Sequence, residues 1–361
     1  MTGESPRDLY LKCVSFDPTG RILFRRLTWL MPGIKEDWMA EGVSAQEIEA
    51  ALERCDPEPE MITINTGAFP PFSRDVLEET DGYTITVGAK GGKAKLQKGY
   101  YGYAAMPFEY PVRSAEHWEC LRPRFQWVPE RLSPGWAEQA RAQQAQGLPI
   151  WLHLDGFYWF IRELMGDEAA CLAFYDRPAL VHDISQTLCQ LMLDTASALA
   201  GAGVVPDCIH FPEDIAGKGG PIISPRQFRE LFSPYWRMAL DRFRSLGVPH
   251  LEVDSDGRID ELIPLYLDVG VNGLMPFECQ AGMDIVEVRR TYSRSLIIGG
   301  GIDKLALVGG RAAIDRELAS KLPPMIKAGG YMIMTDHRMI RGCPFSDWVY
   351  YTDQVWRYLA G

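Results

Sequence analysis

From about residue 147 onward one arrangement recurs: a short apolar run, a polar or acidic cluster, then a stretch with helical amphipathicity. The runs fall at residues 149–155, 206–211, 249–253, 273–275, 296–298 and 331–334, and the spacing predicts helices between them over 180–200, 224–246 and 314–326. The second of these opens on Ser224-Pro225, a cap followed by proline at the first turn. Strands separated by whole helices run parallel. Two upstream runs, 26–30 and 61–65, raise the strand count to eight, the number that closes a (β/α)₈ TIM barrel. An open doubly wound sheet is the rival, but the nearest glycine cluster, Gly299-Gly300-Gly301, leads into Ile302-Asp303 without the G-x-G-x-x-G spacing. Residues 83–103, with Thr84-Ile-Thr-Val87 and a Lys/Gly-rich turn, read as an antiparallel hairpin decorating the barrel's N-terminal side. No low-complexity linker or repeat interrupts the chain, so residues 1–361 are read as one domain.

Composition narrows the function. The 361 residues are 47% hydrophobic, enough for a large core. Lys+Arg of 37 against Asp+Glu of 48 gives a net charge of -11, which opposes binding to nucleic acid or anionic membrane. Residues 1–10 are polar and charged, and no later stretch reaches the roughly 18 apolar residues of a spanning helix, so a cytoplasmic protein is expected. Eight cysteines are scattered without a C-x-x-C pair, which argues for reduced thiols rather than a disulfide framework or zinc knuckle. Neither a G-x-S-x-G elbow nor H-E-x-x-H is present, which disfavours acyl-transfer hydrolysis.

In a barrel, chemistry collects where strands end. The predicted strand ends carry His153 and Asp155; His210, Glu213 and Asp214; Asp254 and Asp256; Glu278; Asp303; and Asp336, His337 and Arg338. Asp254-Ser255-Asp256 can aim two carboxylates at one cation, as hard ligands prefer, or Asp256 can cap a helix near Ile259. With His337 from the last strand, Asp254 and Asp256 form a two-carboxylate, one-imidazole set suited to Zn, Mn or Fe; a His-Asp loop tie is the alternative. Those three are the expected catalytic and metal-binding residues. Asp155, Glu213, Asp214, Glu278 and Arg338 are candidates for orienting a substrate, and Tyr158 with its aromatic neighbours for an apolar wall. Glu213 and Asp214 serve equally as solvated loop acids before the glycine-rich 216–220 stretch, and His153 and His210 read as core histidines.

At these residues the chain resembles the uroporphyrinogen decarboxylase superfamily, which includes zinc-dependent, corrinoid-linked methyltransferases. The matching stretches are Phe69-Pro-Pro-Phe72 with Val76-Leu-Glu-Glu-Thr80, Pro111-Val112 before His117-Trp118, and Ile223-Ser-Pro225 with Pro234-Tyr235. Then follow Gly270-Val-Asn-Gly-Leu-Met-Pro276 with Glu278, Gly299-Gly-Gly-Ile-Asp-Lys304, and Gly329-Gly330 leading to Asp336-His337. The resemblance implies a barrel with its site in the carboxyl-terminal mouth. Uroporphyrinogen decarboxylases carry Arg-Gln-Ala-Gly-Arg near the N-terminus, where this chain has Leu30-Met-Pro-Gly-Ile34, so the arginines that grip a polyanionic tetrapyrrole are missing. The methyltransferase branch carries His-x-Cys-Gly after the middle strand and a further Cys after the last. Here those places hold Asp254-Ser-Asp-Gly257 and Asp336-His337. The resemblance therefore implies a methyltransferase that moves a methyl group from a small O-, N- or S-methyl compound, such as a methoxy-aromatic, to a corrinoid carried by a partner protein. The implied cation is zinc first, manganese or iron second; homodimerisation is left open. A decarboxylase or lyase of a small acid, and a non-catalytic ligand- or corrinoid-binding relative, are the other readings.

Overall fold

The computed structural model describes residues 4–25, 30–73, 75–98 and 105–361. Eight short strands share one sheet: β1 (Leu23–Phe24), β2 (Glu60–Thr63), β3 (Ile150–His153), β4 (Cys208–Pro212), β5 (His250–Asp254), β6 (Gly273–Met275), β7 (Ile297–Gly299) and β8 (Tyr331–Ile333). Their spatial order is β1-β8-β7-β6-β5-β4-β3-β2, and every laddered pair is parallel. Among the described residues β1 and β2 share no ladder. The seam is closed by Asp56, whose N–H donates to the Phe24 carbonyl at 2.8 Å and whose carboxylate accepts the Phe24 N–H at 2.7 Å. A side chain thus supplies the acceptor that a neighbouring strand supplies elsewhere, and the sheet curls into the expected (β/α)₈ barrel.

Seven of the eight predicted strands lie within a residue or two of their observed bounds. The window 61–65 is observed as Glu60–Thr63. The window 26–30 is displaced: the strand is Leu23–Phe24, and residues 26–29 lie outside the described residues. The helix expected over 224–246 is two, Pro225–Leu231 and Ser233–Ser245. Ser224 caps the first through the Gln227 N–H as expected, and Pro234, which has no N–H to continue the ladder, stands in the first turn of the second.

Strand alternation sorts the two faces. Ile150, Leu152, Ile209, Phe211, Leu251 and Val253 join the outer core, packed with helices such as Phe157–Met165 and Pro178–Ala202. Trp151, Cys208, Ile297, Met332 and Leu23 form a separate inner cluster, and the N-terminal helix Pro6–Val14 plugs the barrel's lower end against it with Tyr10, Cys13 and Val14. Above that plug the inward positions turn polar: His153, His210 and Glu252 are register neighbours across three adjacent strands. His250, one step lower, fits because Gly273 on the neighbouring strand has no Cβ; one built there would stand 2.0 Å from the imidazole Nε2.

The expected hairpin is the centre of a four-stranded antiparallel sheet, Val76–Glu79, Tyr83–Val87, Lys93–Gln97 and Met106–Glu109. Its placement corrects the expectation of a decoration on the N-terminal side. The turn between the central strands carries Lys90 to the mouth, where its ammonium lies 2.7 Å from Asp155, just beyond β3, and 2.8 Å from Glu163. Lys90 and Asp155 are both buried. Local sequence indicates a hairpin but not where its tip lands, because the contact is long-range. No helix among the described residues is long and apolar enough to cross a membrane.

Replacing Lys90 with Met leaves a buried carboxylate without its cation, a loss of about 3–5 kcal/mol. The expected result is a clearly lowered denaturant midpoint. A midpoint within error of wild type would mean the hairpin is not anchored by this pair.

Candidate active site

The mouth is assembled from loops that follow β3 to β8. After β5 the chain turns at Asp256-Gly257. Gly257 has φ of 85°, and a Cβ there would meet the Gly217 carbonyl oxygen at 2.7 Å, so glycine alone fits the close approach of the 216–221 ribbon. This turn lifts Asp256 onto the rim. Its carboxylate lies 3.2 Å from Nε2 of His337, which comes from the loop after β8. Glu278, after β6, accepts the Gly257 N–H at 2.9 Å. One ligand atom from each of Asp256, Glu278 and His337 lies within 4.8 Å of the others, and all three residues are half-buried.

Two of the three predicted metal-site residues, Asp256 and His337, are therefore brought together, and Glu278 is the third member. Asp254 sits lower. It is the last residue of β5, is buried, and its Oδ2 lies 3.6 Å from Nε2 of His210. The opposite nitrogen of His210 is 3.1 Å from Glu252, which lies 3.9 Å from Arg25 and 3.8 Å from His250. A charged column thus runs down the barrel axis. Burial works against the charge on His210, but the hydrogen bond to Glu252 and the close carboxylates of Asp254 and Glu252 push its pKa up to about 9. His153, ring to ring 5.5 Å away, goes the other way, down to about 4, through burial and then the repulsion of His210. On the rim, the hydrogen bond to Asp256 raises the pKa of His337 against its partial burial.

The remaining predicted residues divide. Glu213 is fully buried and accepts the N–H groups of Tyr158 at 3.0 Å and Trp159 at 3.2 Å, capping the helix Phe157–Met165. Asp214 accepts the Asp256 N–H at 3.3 Å and lies 3.5 Å from Arg162. Burial, then the charges of Asp256 and Asp254, push it up to about 6. Asp155 is held by Lys90 as described. Arg338 is half-buried on the loop beside His337. Tyr158 corrects the apolar-wall expectation: it is fully buried and donates to Asp167 at 2.7 Å, because the helix starts at Phe157 and turns it inward to the core. Trp159, half-buried under the Arg162 guanidinium at 4.4 Å, is the aromatic nearer the mouth.

Sequence reasoning missed Lys90, Arg162 and Lys304. Lys304 stands 3.7 Å from both Glu278 and Asp336. Asp336, fully buried, accepts the N–H groups of Cys279 at 2.9 Å and Lys304 at 3.0 Å. Its place at the end of Gly299-Gly-Gly-Ile-Asp-Lys304 was the available signal for Lys304. All eight cysteines are free; Cys279, nearest the site, has its pKa pushed up to about 12, chiefly by burial, which disfavours a nucleophilic thiolate.

The donor set passes a chemical test for a divalent cation. Two carboxylate oxygens and one imidazole nitrogen, close together and accessible from the mouth, suit Zn, Mn or Fe, and no thiolate is among them to favour a softer ion.

Glu213 gives a pH signature. Burial pushes it up to about 8 from 4.5, so from about pH 4.5 to about pH 8 the folded protein keeps a proton that the unfolded chain releases, and stability falls as pH rises across that window. Glu213→Gln retains an oxygen acceptor for the two N–H groups and removes the ionisation. Its urea midpoint should match wild type near pH 5 and exceed it at pH 8; an equal offset at both values would refute the shift.

A solved structure of a methyltransferase from Methanosarcina mazei aligns over 98% of this chain and 100% of its own, with a TM-score of 0.59 and 14% identity, which establishes a shared fold. A GH26 beta-mannanase from Bacteroides ovatus aligns over 62% of this chain and 71% of its own at 14% identity, but its TM-score of 0.33 is too low to support an argument. No curated protein matches by sequence. The model of the family described as uroporphyrinogen decarboxylase (URO-D) matches residues 163–357. That span is more than half of the sequence and carries β4 to β8 with Asp256, Glu278 and His337, and by it the chain belongs to the URO-D family.

Proposed function

We propose that this protein is a methyltransferase that moves a methyl group from a small O-, N- or S-methyl compound to a corrinoid on a partner protein. The observation that carries the reading is the convergence of Asp256, Glu278 and His337 on the rim. Asp256 lies in the stretch where the methyltransferase branch carries His-x-Cys, and His337 beside the place of its last Cys. The fold shared with the Methanosarcina mazei methyltransferase is consistent with it. Charge disfavours a tetrapyrrole polyacid: the mouth already gathers Asp214, Asp254, Asp256, Glu278 and Asp336, and the chain carries -11 overall.

In this reading Asp256, Glu278 and His337 hold a divalent cation, zinc first and manganese or iron second, which supplies Lewis-acid polarisation of the methyl-bearing heteroatom. Asp214 fixes the Asp256 backbone, and Lys304 stands 3.7 Å from Glu278 on the rim. Trp159 and Arg162 provide a flat surface at the entrance. The hairpin anchored by Lys90 covers one side of the mouth and limits water entry.

Purified protein is expected to contain about one Zn, Mn or Fe per chain. With reduced cobalamin and a panel of methoxy-aromatics, methylamines and methyl thiols it should yield methylcobalamin. Asp256→Ala and His337→Ala should each lower that rate by about 100-fold or more, with melting temperature nearly unchanged because both side chains are partly exposed. No methylcobalamin from any donor, or CO₂ release from a small acid without a corrinoid, would overturn the assignment.

A further inference from the structure

Beneath the rim lies a set of polar groups that the cation site does not use. His153 is half-buried at the end of β3, and His210 and Asp254 each keep a small exposed fraction on the adjoining strands. The His153 imidazole has no hydrogen bond to any described side chain. The gap between His210 Nε2 and Asp254 Oδ2 is 3.6 Å, longer than a direct hydrogen bond, whereas the lower contact of the same imidazole, to Glu252, closes to 3.1 Å. One oxygen at the apex of a triangle on that base lies within hydrogen-bond reach of both groups.

The polarity of the three selects what that oxygen belongs to. Asp254 accepts, His210 donates, and His153 does either according to tautomer. A carboxylate would meet Asp254 with like charge, and the one positive ring, His210, is already shared between two acids. An ammonium would meet the imidazolium. A neutral hydroxyl, which donates and accepts at one atom, satisfies the set.

We propose that His153, His210 and Asp254 form a hydroxyl-binding floor under the Asp256–Glu278–His337 rim, and that the ligand seated in the mouth carries a free hydroxyl beside its methyl-bearing heteroatom. Taking that ligand to be the methyl donor rests on the function proposed above. Asp254 and Asp256 are separated by one residue, so floor and rim adjoin, and vicinal hydroxy-methoxy compounds match both.

The test compares 2-methoxyphenol with 1,2-dimethoxybenzene, which masks the hydroxyl and keeps the methoxy group, by calorimetry on the full-length protein. A site built around a hydroxyl rejects the analogue lacking it, so 2-methoxyphenol should bind at least about tenfold more tightly. His153→Phe should erase that preference while shifting the affinity for 1,2-dimethoxybenzene by less than about twofold, and His153→Gln, which can still donate and accept, should retain part of it. Circular dichroism spectra matching wild type establish that both variants fold. Equal affinities in wild type, a preference that survives His153→Phe, or no measurable binding of 2-methoxyphenol would each overturn the floor. Preferential binding without methyl transfer to reduced cobalamin would support the floor and overturn the proposed function alone.

Discussion

Carboxylates that accept backbone N–H groups from neighbouring loops hold the mouth together. Glu213 takes two from the loop after β3, Asp214 takes that of Asp256, Glu278 takes that of Gly257, and Asp336 takes those of Cys279 and Lys304. Six successive loops, those after β3 to β8, are thereby tied by acids that strand ends alone would leave in solvent. Each buried or partly buried N–H left unmatched would cost about 1–3 kcal/mol. The rim groups are therefore positioned by the chain itself, so a guest finds them in place and does not have to order the loops.

The same acids explain which parts of the site could be read in advance. Strand positions from β3 to β8 were legible because apolar runs bounded by Gly, Pro and acids mark buried parallel strands. The pairing of Asp254 with Asp256 was less so. D-x-D on an extended strand places both carboxylates on one face, but β5 ends at Asp254, and the left-handed Gly257 turn carries Asp256 up to the rim while Asp254 remains with His210. Glu278 then fills the vacated place. That exchange depends on a turn geometry imposed by the 216–221 ribbon, a contact with no local trace.

Tyr158 and Lys90 fail for opposite reasons. Tyr158 lies two residues beyond Asp155-Gly156, where a loop reading puts it near the ligand, yet helix geometry begins at once and buries it. Lys90 lies in an exposed-looking Lys/Gly-rich turn, yet it is one of the most buried cations in the molecule because the hairpin folds back over the mouth. Burial of a long side chain on a protruding hairpin is decided by tertiary packing, which periodicity does not report. The seam has the same character: Asp56 in a proline-flanked loop gives no sign that it completes a barrel.

The column of charge along the axis is costly, and its cost bears on what the lumen is for. Filling a barrel with branched aliphatic side chains would be neutral or stabilising by about 1–4 kcal/mol relative to a buried ion network. The lower lumen does this with Leu23, Ile297 and Met332 around Trp151. The upper lumen instead holds Glu252, His210, His153 and Asp254, with Gly273 kept small so that His250 fits. Were stability the sole constraint, the apolar packing would continue to the rim. It stops short of the rim, and Glu252 within the polar layer is backed by Arg25, 3.9 Å away. Asp254 and Glu252, on either side of the ring, are what keep His210 protonated. The division between a dry lower barrel and a charged upper one follows the distance from the mouth rather than the needs of the core.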